Sequence, residues 1–180
     1  MWKRFAAIVA QQWVTIRVVV TFVGIIFAFF MATDYAPIAD RVNVARWMAQ
    51  VAAWFSGAIL MGIGSALDFP VQINGTRMGS GDFLVDVTEA CSGAVPTAIY
   101  LAAVAAYPAS WRAKLIGTGI GLGVIHSINV VRVIVLFLIG LFANQYFHDT
   151  HVYVAQALVV VIAVATWIYW AGRFADAPGR

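Results

Sequence analysis

The sequence predicts an all-α membrane protein: a bundle of about four transmembrane helices, one interfacial or re-entrant helix and a short strand-like extracytoplasmic segment. Of its 180 residues, 63% are hydrophobic and only 11% are charged. A soluble domain averages about 45–50% apolar and about 25% charged residues. A water-soluble globule is therefore excluded. Aromatic residues make up 14% of the chain, which is typical of proteins with rings at both membrane interfaces.

Four apolar segments are predicted to cross the bilayer, a crossing that takes about 20 helical residues. They lie at about 14–33, 92–107, 115–142 and 152–172. No internal repeat, low-complexity tract or linker separates a second unit. We therefore expect one integral membrane domain over residues 1–180.

A fifth apolar segment, 47–67, is predicted not to cross. Short basic segments stay in the cytoplasm, and three occur here: the N-terminus with Lys3 and Arg4, the turn at 112–114, and the C-terminal tail from Arg173. All three can be cytoplasmic only if 47–67 lies at the interface or enters partway. The alternative is an ordinary span that overrides the charge bias.

Residues 69–88 form the predicted strand-like segment. Phe83, Val85 and Val87 alternate with polar neighbours, and a glycine-rich turn at 79–81 precedes them. Period-two alternation is typical of a half-buried strand. With four crossings, both termini are cytoplasmic and this segment faces the exterior.

Polar residues inside the third predicted span mark a functional site. His126, Asn129 and Arg132 stand three apart among glycines and branched aliphatic residues. At that spacing they form one slanting stripe on a helix. Because an ionisable side chain in a bilayer costs about 2.5–3.5 kcal/mol on insertion scales, the stripe must face protein or water. Arg132 alone has a simpler alternative, a structural cation bonded to backbone carbonyls or to an acidic partner.

Three predicted spans bring a thiol, a guanidinium and an imidazole to the outer side. Cys91 begins the second span, Arg132 lies near the outer end of the third, and His148 and His151 precede the fourth. Cys91 is the only cysteine, which excludes an internal disulfide and a Cys-rich zinc site. The eleven cations are scattered among apolar runs, so no nucleic-acid partner is expected.

The residues around Cys91 indicate a reactive cysteine. A strand-like run leads through Cys91 into a predicted helix, with Pro96 in its first turn, where proline is tolerated. A helix N-terminus and a nearby Arg132 both favour the thiolate. Gly93 permits close approach of another backbone or of a substrate chain.

These motifs resemble a known family. The string EACSG at Glu89–Gly93, the sequence from Asn129 to Arg132 and a later histidine are similar to the exosortase/archaeosortase family of membrane-embedded cysteine transpeptidases. The resemblance covers roughly 47–170, and the short chain is most like the compact exosortase H branch.

The resemblance implies acyl transfer through a thioester, without cofactor or metal. It assigns catalysis to Cys91, Arg132 and His151, with His148 as the alternative base, and gives supporting roles to Asn129, Glu89 and Gly93.

The implied substrates are membrane-anchored secreted proteins with a C-terminal sorting signal: a motif such as Pro-Glu-Pro or IPTLxxWG, a transmembrane helix and a basic tail. Cleavage is expected at the outer face of the plasma (inner) membrane. Two other classes remain open on the residues alone: a small transporter or assembly subunit with an intramembrane polar path, and a non-catalytic scaffold. The sequence does not indicate the oligomeric state.

Overall fold

The computed structural model describes residues 2–35 and 43–175, with side chains from residue 12 onward except Val152. Within these ranges the chain forms five helices longer than one turn, and the predicted all-α membrane class is confirmed. These helices are α1 (Trp2–Asp34), α2 (Val44–Leu67), α3 (Ala94–Ala106), α4 (Trp111–Phe142) and α5 (Gln156–Arg173). The end of the C-terminal tail, residues 176–180, which includes Arg180, lies outside the described residues, as do the side chains of Lys3 and Arg4.

Four helical segments of the described chain are long and apolar enough to cross a membrane. They are Gln12–Asp34, Val44–Leu67, Trp111–Phe142 and Tyr153–Arg173. This set differs from the four spans predicted from sequence. Helix α2, expected not to cross, qualifies by length and composition, whereas α3 has only 13 residues and is shorter than the predicted 92–107.

Both ends of α2 lie near the same end of the α3–α4 hairpin. At its start, Asn43 caps the helix by accepting a hydrogen bond from the Arg46 N–H, and the Asn43 amide donates to the Glu89 carboxylate at 2.8 Å. Glu89 is just ahead of α3. Just past the end of α2, the Phe69 ring contacts the ring of Phe142, the last residue of α4, at 5.6 Å. Helix α2 therefore runs obliquely along the open end of that hairpin.

Small residues make up most of the buried face of α2, and large apolar residues lie on its exposed face. The buried positions are Ala45, Ala49, Ala52, Ala53, Ser56, Gly57, Leu60 and Gly64. Trp47, Trp54 and Phe55 are at least half exposed. Small residues at helix contacts let backbones approach closely in membranes, where lipid solvates large apolar side chains. This outward apolar surface is typical of a lipid-facing helix.

Two glycines position α4 against its neighbours. A Cβ on Gly121 would collide with the Tyr100 ring of α3, and one on Gly117 would collide with the Trp170 indole of α5. The Tyr100 hydroxyl donates to the Gly117 carbonyl at 2.9 Å. Gly119 and Gly123 alternate with these two glycines along the same helix. Those two meet open space, because a shift of two residues turns the helix by about 200° and places them on the face opposite Gly117 and Gly121.

The predicted strand-like segment is a three-stranded antiparallel sheet in the order β1-β2-β3. The strands are β1 (Gln72–Asn74), β2 (Arg77–Ser80) and β3 (Phe83–Asp86). One face packs on the helices: Ile73 and Met78 contact the position of Gly57 in α2, and Phe83 packs on Gly140 and Phe137 of α4. The alternation read from Phe83 and Val85 is confirmed by their half-buried positions in β3, between the exposed Leu84 and Asp86.

Candidate active site

Cys91 lies on a short turn that joins the sheet to α3. Glu89–Cys91 form a 3-10 turn, closed by the Cys91 N–H donating to the Thr88 carbonyl at 2.9 Å. The Ser92 hydroxyl donates to the Glu89 carbonyl at 2.6 Å and accepts from the Ala94 N–H at 3.1 Å. Cys91 thus precedes α3 by three residues, in a turn fixed by its neighbours.

The structure brings the predicted thiol, guanidinium and imidazole together. The Cys91 Sγ lies 3.8 Å from His151 Nε2 and 3.7 Å from Arg132 Nη2. Cys91 is 7% exposed and Arg132 is 5% exposed. The sulfur is therefore held, away from bulk solvent, between a group that can take its proton and a fixed positive charge.

Asn129 and Gly93 position the backbone next to the thiol. The buried Asn129 donates its amide N–H to the Cys91 carbonyl at 3.0 Å. The Asn129 amide nitrogen, predicted only to support the site, therefore has the backbone of Cys91 as its partner. Gly93 has a φ of 76°, and a Cβ there would approach the Asn129 side chain at 3.2 Å. Glycine is thus required for both conformation and space.

Among the described residues, Arg132 is a buried cation without a carboxylate partner. Over the ranges that the structure describes, the one salt bridge joins Arg77 to Asp86 at 3.3 Å on the sheet. The Arg132 Nε is buried and has no hydrogen-bond acceptor within the described part of the chain. An uncompensated buried charge is strongly unfavourable, so a negative charge placed next to this guanidinium would be stabilised by it.

His151 reaches the thiol from an irregular stretch of helix. Thr150–Ala155 form a π-helical turn ahead of α5, and such turns are frequent at functional sites. The Phe147 ring stacks on the imidazole, with centroids 5.9 Å apart and planes 16° apart.

The surroundings of His151 favour its neutral form. Burial lowers its pKa below the ordinary value, and the positive charges of Arg132 and His148 lower the pKa further. The imidazole is therefore ready to accept a proton near neutral pH. Its Nδ1 is buried and has no partner among the described residues.

The remaining candidates occupy other places. His148 is exposed, on the single helical turn Phe147–Asp149, whereas His151 contacts the sulfur. Glu89 is also exposed, and its contact with Asn43 links the Cys91 turn to the start of α2. His126 lines an apolar cavity, separate from the contacts around the sulfur. Within the described chain, no three His, Cys, Asp or Glu side chains are grouped closely enough to hold a metal ion.

The cavity next to His126 has a volume of about 480 Å³. Helices α1, α2, α3 and α4 all contribute to its wall, which includes Phe29, Trp47, Met48, Thr97 and Leu122. Leu122 and His126 lie on α4 ahead of Asn129 and Arg132 in sequence. The cavity thus lies along α4 on the Trp111 side of the thiol.

Sequence reasoning missed three features of the site: the stacking of Phe147 on His151, the Asn43–Glu89 hydrogen bond and the π-helical turn. An aromatic residue four positions before a histidine is a recognisable pairing on a helix, so Phe147 could have been found. The π-turn and the long-range pairing of Asn43 carry no comparable local pattern.

The fold and this cluster together define a membrane protein with a buried cysteine–arginine–histidine centre. A family model described as transmembrane exosortase (Exosortase_EpsH) matches residues 5–174. The chain therefore belongs to the transmembrane exosortase family. A comparison with curated proteins and a comparison with solved structures each found no match.

Proposed function

We propose that this protein is a cysteine transpeptidase that cleaves membrane-anchored proteins at a C-terminal sorting signal. The observation that supports this most strongly is the pair of contacts at the Cys91 sulfur, 3.8 Å to His151 Nε2 and 3.7 Å to Arg132 Nη2. A nucleophile, a base and a fixed positive charge within reach of one another are the elements of covalent acyl transfer.

In the first half of the reaction, His151 Nε2 takes the Cys91 proton and the sulfur attacks the scissile carbonyl carbon. The carbonyl π bond becomes the oxyanion of a tetrahedral intermediate, which the Arg132 guanidinium stabilises in a site with little water. When the intermediate collapses, the C–N bond breaks and the protonated imidazole of His151 gives its proton to the leaving amine. The product is a thioester on Cys91 and a free C-terminal helix.

In the second half, an acceptor amine or water attacks the thioester carbonyl. Neutral His151 takes the proton of the acceptor, Arg132 again stabilises the oxyanion, and the imidazole returns the proton to the departing sulfur. An amine acceptor gives a transferred protein, and water gives simple proteolysis. The enzyme needs no cofactor for either outcome in this scheme.

The apolar cavity supports a substrate that carries its own membrane helix. At about 480 Å³ it is large enough for several apolar side chains of a substrate helix. In this arrangement the helix of the sorting signal lies along the cavity, the recognition motif reaches Cys91, and the basic tail stays in the cytoplasm. A Pro-Glu-Pro or IPTLxxWG motif, the latter for the exosortase H branch, fits this scheme.

The depth of the site supports its placement near the outer face of the plasma (inner) membrane, with both termini cytoplasmic. Arg132 follows Trp111, the first residue of α4, by 21 positions, so the two residues are separated by about 32 Å along the helix. This matches a hydrocarbon thickness of about 30 Å. In this orientation α2 lies obliquely at the outer interface, because both of its ends are near the outer side of the α3–α4 hairpin.

Co-expression with a reporter that ends in a sorting signal tests the proposal. Mass spectrometry of the reporter should show loss of its C-terminal helix with the wild-type enzyme and no loss with Cys91→Ala, Arg132→Ala or His151→Ala. His148→Ala is the matched control, because His148 is an exposed histidine one turn from the base, and should process the reporter. Processing that survives in Cys91→Ala would refute the proposal and favour the transporter or assembly alternative.

A further inference from the structure

The outer edge of β3 has backbone groups that no strand of the described chain pairs with. In the described chain the sheet ends at β3, which pairs with β2 on one side only. Ser80 and Phe83 are opposite each other across a two-residue turn, which makes them a hydrogen-bonded pair. The Val87 N–H donates to the Thr76 carbonyl at 2.9 Å, so Thr76 and Val87 are also a hydrogen-bonded pair.

Because hydrogen-bonded and non-hydrogen-bonded pairs alternate in an antiparallel ladder, the backbone N–H and C=O groups of Leu84 and Asp86 point away from β2. Both residues are exposed, and Leu84 is 64% exposed. A strand edge of this kind is a template for an added strand.

This edge leads directly to the nucleophile. Four residues lie between Asp86 and Cys91, and Thr88 is extended, with φ −71° and ψ 168°, before the 3-10 turn begins. At about 3.3 Å per extended residue and about 2.0 Å per 3-10 residue, Cys91 lies at most about 13 Å beyond Asp86. An extended peptide on the edge of β3 therefore reaches the thiol within about four further residues.

The direction of β3 fits the direction of the substrate. The strand begins with Phe83 against Gly140, near the outer end of α4, and leads toward Cys91 at the level of Asn129 and Arg132. Phe83 also contacts Phe147, the residue stacked on the imidazole of the base. A sorting signal enters from the exterior and continues into the membrane, so its chain has the same polarity as β3.

We infer that the segment of the substrate just before the scissile bond binds as a fourth strand, parallel to β3, through the outward backbone groups of Leu84 and Asp86. This inference rests on the proposed function. Main-chain hydrogen bonds supply affinity in this mode of recognition, and alternate side chains supply specificity. Side chains on one face of the added strand point toward the rings of Phe83 and Phe147, and the others lie beside the exposed Leu84.

Two variants of one residue test the inference. Leu84→Pro removes the outward N–H, and Leu84→Ala keeps that N–H and removes the same side chain. The probe is a synthetic peptide in liposomes that carries a Pro-Glu-Pro motif, an apolar helix and a basic tail. We expect Leu84→Pro to cleave it about tenfold more slowly than Leu84→Ala, since one hydrogen bond to the substrate is lost. Both variants should retain the wild-type rate of Cys91 alkylation by a small reagent. Equal cleavage rates for the two variants would overturn the inference.

A second measurement decides the matter if Leu84→Pro also loses alkylation. Peptides N-methylated at successive amides before the scissile bond are presented to the wild-type enzyme. Strand pairing predicts that every second methyl group slows cleavage, because alternate amides face β3. A profile without this alternation refutes the pairing even though the enzyme is active. A wild-type enzyme that cleaves no reporter or peptide refutes the proposed function itself, and the inference with it.

Discussion

Arg132→Gln should separate a catalytic guanidinium from a structural one. The side chain is 5% exposed, its Nη2 lies 3.7 Å from the Cys91 sulfur, and its Nε has no acceptor among the described residues. Glutamine keeps a polar side chain of roughly similar length and removes the charge. The variant therefore tests whether negative charge next to this position limits the reaction.

The magnitude follows from the distance. At 3.7 Å and an effective dielectric constant of about 20, a unit negative charge on sulfur is stabilised by about 4 kcal/mol. Removal of one oxyanion donor from a protease costs about 10²–10³ in rate, which agrees with a loss of that size. We expect Arg132→Gln to lower kcat/KM by about 10²–10³. Arg132→Lys keeps the charge but not the planar guanidinium. Its kcat/KM should therefore lie between that of the wild type and that of Arg132→Gln.

Stability should change in the opposite sense. Arg132 is buried without a carboxylate partner in the described chain, so no ion pair offsets the free energy lost by removing its charge from water. Replacing it with a neutral residue removes this unfavourable contribution. The unfolding temperature in detergent should therefore stay the same or rise in Arg132→Gln. The matched control is Arg77→Gln, which removes an exposed arginine on the sheet and should leave peptide cleavage unchanged.

The assay combines reporter cleavage, followed by mass spectrometry, with thermal unfolding of the purified protein. Cleavage lost together with a clear fall in unfolding temperature would mean that Arg132 mainly holds the fold together, and our reasoning about its charge would be wrong. Cleavage at the wild-type rate would refute a role in the reaction altogether.

Three further predictions concern the base, the helix packing and the backbone of the site. The pKa of His151 is lowered by burial and then by the positive charges of Arg132 and His148. Cleavage activity should therefore be lost only below a pH of about 6.5, the ordinary histidine pKa. His148→Ala removes one of these charges and should move this loss of activity to higher pH, with the maximal rate unchanged. Gly121→Ala should destabilise the protein by about 1–3 kcal/mol through overpacking, as measured by thermal unfolding, whereas Gly119→Ala, which meets open space, should not. Asn129→Ala leaves the buried carbonyl of Cys91 without its hydrogen bond. The free energy of unfolding should therefore fall by about 1–3 kcal/mol, and cleavage should slow. If neither value changes, the role assigned to the Asn129 amide is wrong.

The convergence of thiol, guanidinium and imidazole could be predicted because ionisable groups in apolar segments are costly and therefore conspicuous. The prediction of a single polar stripe from His126 to Arg132 was wrong in part. His126 and Arg132 are six residues apart, which turns the helix by about 600°, so the two side chains point about 120° apart. Arg132 faces Cys91, and His126 faces the apolar cavity.

The family resemblance favoured His151 over His148, but residue chemistry and spacing alone did not separate the two histidines. The two residues are three positions apart on neighbouring turns, and the π-helical turn Thr150–Ala155 decides which ring faces the sulfur. Such a backbone irregularity depends on tertiary packing and has no clear composition signature. In α2, hydrophobicity did not show which face is buried, because Trp54 toward lipid and Leu60 toward protein are both apolar.

The distribution of the site over the chain has a consequence for biosynthesis. Cys91 lies at the middle of the sequence, whereas His151 is presented by the turn that leads into the last helix, α5. During translation the sulfur therefore enters the membrane well before its imidazole, and the two cannot meet until α5 has been inserted and packed. A chain that stops before His151 therefore carries the thiol without its imidazole, and the centre forms only after α5 has packed.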